Sequence, residues 1–380
     1  MSKAPSLGLL HLAVFCSSFD RLVIAPLLLA IADDLGISLA DAGIIASVYL
    51  VGYGVMQIVW GMVSDRLGRV RTMRLALLLA AVAGIATAAA PDVATLLLAR
   101  FVAGGAFAAI VPGALIYVGD TVPVAQRHGP LTDVMMMTAT GMAAATLVGA
   151  LLADLASWRL AFGVPAAVVL LVVVLMSRLP EVAAQGERLS VRAALTRVLG
   201  NRWALVVFAL AFVEGVVLLS VLNFLPTVLQ NQGMSTTFSG AVTAAYGVAV
   251  ILATRVVKAV ADRMTQAQLV AVGGASGAGA FVGLVIDPGT AGVLIACVLL
   301  AGAWAFMHST LQKWATEVAP DARATSVSLF ASSLFIGSAA GTALGAVFAD
   351  RGDFVTLFAI GLGIAAVLGV AATVLRARSE

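Results

Sequence analysis

Apolar runs of roughly 20 residues follow one another along this chain, each ended by a short cluster of charges, glycines or prolines. That is the length an α-helix needs to cross ~30 Å of hydrocarbon at ~1.5 Å per residue. The pattern predicts twelve spanning helices. In the first half they fall at 7–31, 41–63, 73–90, 94–118, 131–153 and 157–177; in the second at 203–229, 238–259, 267–286, 291–316, 324–349 and 354–375. One long polar segment interrupts them, 178–202 (RLPEVAAQGERLSVRAALTRVLGNR). It reads as a linker with a short amphipathic helix between a half at 1–177 and a half at 203–380. The fold class predicted is an all-α integral membrane protein.

The totals agree. The 380 residues are 62% hydrophobic and 11% charged, with a mean hydropathy of +1.08, whereas soluble domains carry about 25% charged residues. A pI near 9.1 does not point to nucleic acid, because the bases gather on one side of the predicted topology. With the N-terminus inside, only Arg21, Arg100, Arg159 and Arg351 of the 22 Lys and Arg fall away from cytoplasmic segments. The opposite loops carry aspartates instead, Asp92 and Asp287 among them. This positive-inside bias predicts that both termini are cytoplasmic. Cys16 and Cys297 lie inside apolar runs, so neither indicates a disulfide. Lys3 precedes the first run without a small-residue cleavage pattern, so that run is expected to be a retained helix.

Between the second and third predicted helices stands GMVSDRLGRVR, Gly61 to Arg71. Such a turn needs glycine for positive φ or close helix approach, and fixed charges to hold it at the water interface. Gly61, Asp65, Arg66, Gly68 and Arg69 resemble the loop signature of the major facilitator superfamily, G-x-x-x-D-R-x-G-R-[KR]; Val70 departs from it and Arg71 supplies the base one residue later. The halves also resemble each other. A shift of 196 residues superposes Arg127 on Arg323, Gly141 on Gly337, Gly149 on Gly345 and Asp154 on Asp350. The resemblance implies two pseudo-symmetric six-helix bundles with a central site between them. In the fifth helix, Ala145-Thr146 stand where drug antiporters of that family show Gly-Pro.

Charges inside a membrane are costly and mark functional candidates. The resemblance implies that helices one, four, seven and ten line the central cavity, and each carries polar residues. Helix one has Ser17, Asp20 and Arg21; helix four has Arg100 in RFVAGG; helix seven has Glu214 and Asn223; helix ten has Trp304, His308 and Gln312 at four-residue spacing, a single stripe. Counting residues from opposite ends brings Asp20 and Arg100 to similar depth, so an ion pair between them is expected, against the alternative that Arg100 snorkels to the outer interface. Glu214 has no base nearby in sequence, which makes it the first choice for a proton-coupling acid, with Asp20 second. Asn223 lies nearly opposite Glu214 on a straight helix, so a bend near Pro226 is needed to bring both to one cavity.

The methionines at 135–137 and 142 read as apolar filler rather than a metal site, and no metal is expected. No P-loop, nucleotide fingerprint or catalytic triad is present, so no enzyme activity and no cofactor are expected, the proton serving as coupling ion. The resemblance implies alternating-access transport of a small organic solute across a bacterial-type inner membrane. Export is the first reading and organic-anion:proton symport the alternative; a membrane enzyme or receptor is a remote third. The partners expected are the lipid bilayer and the solute, with no nucleic acid, and the chain is expected to be a monomer.

Overall fold

The computed structural model describes residues 7–181 and 191–379, the side chains of Asp65 and Val191 excepted. Twelve helices among them are long and apolar enough to cross a membrane. Helices 1 to 6 are Gly8–Leu35, Leu39–Ser64, Arg69–Ala88, Val93–Thr121, His128–Leu155 and Leu160–Arg178. Helices 7 to 12 are Arg202–Asn231, Thr236–Arg263, Gln266–Ile286, Thr290–Glu317, Pro320–Asp350 and Phe354–Ser379. No strand occurs among the described residues. The chain is an all-α, multi-pass membrane protein. Of the linker, Val191–Leu199 form a short helix; Lys3, Arg188 and the rest of 182–190 lie outside the described residues. Twelve crossings bring the last helix back to the side of the linker, here the linker side; the other is the far side.

The halves meet along two seams, helix 2 against helix 11 and helix 5 against helix 8. Within each half, a glycine lets backbones touch. Gly141 of helix 5 lies against the Phe15 carbonyl of helix 1, where a Cβ would come within 2.6 Å of the oxygen; Gly337 of helix 11 lies against the Phe212 carbonyl of helix 7, at 2.0 Å. The two contacts are copies, since 337 − 141 = 196 and 212 − 15 = 197.

On the far side, cross-half hydrogen bonds repeat the same symmetry. The Asp350 carboxylate, ending helix 11, accepts from the N–H groups of Leu39 (2.8 Å) and Ala40 (3.3 Å) at the start of helix 2. The Asp154 carboxylate, ending helix 5, accepts from the Thr237 N–H (2.7 Å) at the start of helix 8. Helix N-termini carry unsatisfied N–H groups and partial positive charge, so a carboxylate is a fitting partner. Helices 2 and 8 open alike, on Ser38 and Ser235. Gln230 of helix 7 adds a bond to the Pro26 carbonyl of helix 1 (2.9 Å).

The four helices that carry the polar candidates are the four that are broken. Helix 1 breaks into a 3-10 turn at Ala25–Leu27, where Pro26 has no N–H to give. Helix 4 is interrupted between Phe107 and Ile110. Helix 7 widens into a π turn at Gly215–Leu219, followed by a 3-10 turn at Ser220–Asn223. Helix 10 has a π turn at Trp304–His308. The remaining eight run without such breaks inside their spans, apart from 3-10 turns at their ends.

The loop expected at 61–71 is almost entirely helical. Helix 2 continues through Leu67 and helix 3 begins at Arg69, so Gly68 alone, at φ +94°, makes the turn. Arg69 is buried rather than held at the interface: its Nε bonds Asp120 on helix 4 (3.2 Å) and its Nη1 bonds the Ser64 hydroxyl (2.8 Å). Glu181 caps helix 3 by accepting from the N–H groups of Val70 and Arg71. Nothing packs within 4 Å of where a Cβ of Gly61 would lie, so close approach is not its role in this conformation. Arg66 and Arg71 are exposed. The Asp65 side chain lies outside the described residues.

Candidate functional site

Two polar clusters occupy the middle of the bundle, one in each half. In the second half, Glu214 ends the regular part of helix 7 where the π turn begins. Its side chain is 1% exposed, and its Oε2 lies 3.2 Å from Nδ1 of His308 on helix 10. Which of the two groups donates in this contact depends on the His308 tautomer and on whether the carboxyl holds a proton. The His308 ring is stacked on Trp304 at 3.6 Å between centroids and 11° between planes, with Phe330 of helix 11 at 5.5 Å on another side. Oε1 of Glu214 is buried and has no hydrogen-bond partner among the described residues. The expectation that Glu214 stands without a partner is corrected, because the helix 10 π turn turns His308 toward it. π turns occur often at functional sites.

In the first half, Asp20 and Arg100 form a buried ion pair, with Nη1 3.0 and 3.2 Å from the two carboxylate oxygens. Nη2 of Arg100 also bonds the Asp20 carbonyl. The guanidinium is held between two rings, 4.3 Å from the centroid of Tyr49 and 4.8 Å from that of Phe162. Arg100 is 0% exposed, so it does not snorkel. The hydroxyl of Ser17 donates to the carbonyl of Phe107, at the interruption in helix 4.

Arg21 turns away from this pair. Its Nη2 lies 3.1 Å from the Met142 sulfur of helix 5, and its guanidinium 5.7 Å from the Phe335 ring of helix 11. Asn223 is buried and donates to the Thr342 hydroxyl (3.0 Å), on helix 11. Between Glu214 and Asn223 the helix passes through the π turn at Gly215–Leu219 and the 3-10 turn at Ser220–Asn223, and Pro226 opens the regular segment beyond. Gln312 is exposed and follows His308 by four residues, in the regular helical stretch Ser309–Glu317. Sequence reasoning missed Tyr49, Phe162 and Phe330, since aromatics inside wholly apolar runs carry no periodic signal. Asp120 and Glu181 did carry one: each is an acid at a span end facing a basic loop.

The arrangement offers a buried acid paired with an imidazole, a neutralised ion pair, and a cation without an acid. The profile described as Major Facilitator Superfamily matches residues 10–330 and again 224–380. Among curated proteins, the chain is 28% identical over 166 residues to a putative metabolite transport protein, YwtG, of Bacillus subtilis, and 30% identical over 196 residues to the puromycin resistance protein pur8 of Streptomyces alboniger. Those stretches cover 43% and 51% of this chain but only 36% and 39% of the relatives' own length. Among solved structures, a mutant of the nucleoside transporter NupG superposes with a TM-score of 0.80, covering 96% of this chain and 99% of the other at 16% identity. With the family profile covering nearly all the chain and the same fold found at full length, this protein belongs to the Major Facilitator Superfamily.

Proposed function

We propose that this protein is a proton-coupled secondary transporter that moves a small organic solute by alternating access, with Glu214 as the coupling acid and the linker side facing the cytoplasm. The observation that carries the coupling role is the open Oε1 of Glu214, buried at the centre of helix 7 beside His308. A buried acceptor left unpaired costs about 1–3 kcal/mol, more when charged. A proton on Oε1 removes the charge and makes that oxygen a donor, so the pair can load and release a proton as access alternates. Asp20 is the weaker choice, since its two oxygens are already bonded to Arg100. Export is the direction favoured by the relative named for puromycin resistance. One observation favours the alternative, anion–proton symport: Arg21 has no acidic partner among the described residues.

The test is Glu214→Gln, which mimics the protonated acid at nearly the same volume. In proteoliposomes it should abolish transport driven by a pH gradient while exchange down a solute gradient survives. Full pH-driven transport by the variant would remove Glu214 from the role and pass it to Asp20.

A further inference from the structure

Arg21 sits in the middle of helix 1, 13 residues into a span that begins at Gly8. No carboxylate lies within ion-pairing distance of it among the described residues, and its neighbour Asp20 is committed to Arg100. What surrounds the guanidinium is apolar or neutral: the Met142 sulfur of helix 5, the Phe335 ring of helix 11 and the Tyr53 hydroxyl of helix 2. Tyr246 of helix 8 is near enough to feel its charge. These four residues come from the four helices of the two seams, so Arg21 lies where the seams converge. All four are buried, between 2% and 6% exposed, yet Arg21 itself is only half-buried. Its guanidinium therefore lies between residues of the two halves. A permanent charge at mid-membrane with no counter-ion is costly, and such residues pair with one another or serve a substrate.

We infer that the missing counter-ion is supplied by the transported solute: Arg21 anchors the acidic group of a small organic monoanion with a flat apolar body, of the aromatic carboxylate kind. The inference rests on the transporter reading and names its substrate class. One unpaired guanidinium accepts one carboxylate, in the two-pronged geometry its planar fork favours. The rings of Phe335, Tyr53 and Tyr246 form the walls that a flat body would meet. Asp20 pairs with Arg100, which leaves Arg21 as the charge still to be matched. Binding the anion together with one proton leaves the net charge between the halves unchanged.

The test uses the full chain in lipid nanodiscs, with benzoate, 4-hydroxybenzoate and nicotinate as probes against the neutral benzamide and the cationic benzylamine. Binding is read by calorimetry. At least one carboxylate should bind, and benzamide at least tenfold more weakly. Arg21→Gln should lose the carboxylate at least tenfold, and Arg21→Lys should recover part of it by keeping charge without the fork. Both variants should elute and melt like the wild type, because Arg21 belongs to no ion pair. The proposal is overturned by no carboxylate binding, by benzamide binding as well as benzoate, or by unchanged affinity in a folded Arg21→Gln. Proteoliposomes with an internal pH dye separate the two readings. Arg21-dependent binding of a carboxylate that moves neither solute nor protons would sink the transporter reading and keep the anion site. Proton flux with benzamide or benzylamine but with no carboxylate would do the reverse.

Discussion

Asp20 and Arg100 are buried together, both carboxylate oxygens on one guanidinium, so removing one partner should be far worse than removing both. Breaking a buried ion pair leaves an uncompensated charge and costs about 3–5 kcal/mol. Arg100 is fully buried between two rings, so it has no route to water. Asp20→Asn is therefore expected to lower the thermal denaturation midpoint in detergent markedly. Adding Arg100→Gln to it should raise that midpoint again, as coupled residues are not additive. A double variant no more stable than the single would mean that the pair contributes little as a unit. This contact was legible in the sequence, because counting the rise along helices 1 and 4 from opposite membrane faces puts both residues at one depth. The Glu214–His308 contact was not. The residues are 94 positions apart, and their meeting depends on two π turns that no residue type announces.

At the scale of helices, the far-side bonds are best understood as caps borrowed across the seam. Asp350 serves the first N–H groups of helix 2, and Asp154 those of helix 8. A hydrogen bond to a charged group contributes about 1.5–3 kcal/mol, and each ~1.4 kcal/mol is a factor of ten in population. Both carboxylates are exposed, so solvent screening reduces each contribution to roughly 0.5–1 kcal/mol, and Asp154→Ala or Asp350→Ala should each raise the far-side-open population a few-fold, with the double variant near the product. Spin labels at Asp33 and Met234, both exposed on that side, would report it as a longer distance component. An unchanged distance distribution in the double variant would show that the caps do not hold the halves. The 196-residue shift already matched Asp154 to Asp350, so their equivalence was legible. That each reaches the opposite half was not, because a repeat within one chain does not say which copy it faces. The helix ends themselves were read within a few residues where charges bound them, and least well at 61–71, where one glycine does the work of an expected loop.

For the whole molecule, the distribution of bases predicts sidedness. A cysteine within the linker helix at 192–199 should react with a membrane-impermeant reagent only from the cytoplasm, and one at Asp92 or Asp287 only from outside. Labelling from the reverse faces would invert the proposed orientation and leave the fold untouched. Twelve spans and two related halves were legible because hydrophobic length and repeat spacing are properties of the chain alone. Which polar residues meet depends on how the halves lean together, and that is set by packing along the two seams.

The Asp20–Arg100 pair also bears on how the chain is made. Helix 1 leaves the ribosome before helix 4, carrying Asp20 and Arg21, and charged residues at a helix centre disfavour insertion by about 2.5–3.5 kcal/mol each. The partner arrives 80 residues later, which at roughly 5–20 residues per second is about 4–16 s of synthesis. During that interval helix 1 has no counter-charge, so its hold on the bilayer should be weak until helix 4 emerges. Nascent chains stalled after helix 1 should then be extracted from membranes by alkaline carbonate more readily than chains stalled after helix 4. Asp20→Leu should abolish much of that difference. Equal extraction of the two stalled lengths would show that helix 1 commits on its own, and that the pair forms between segments already at rest in the membrane.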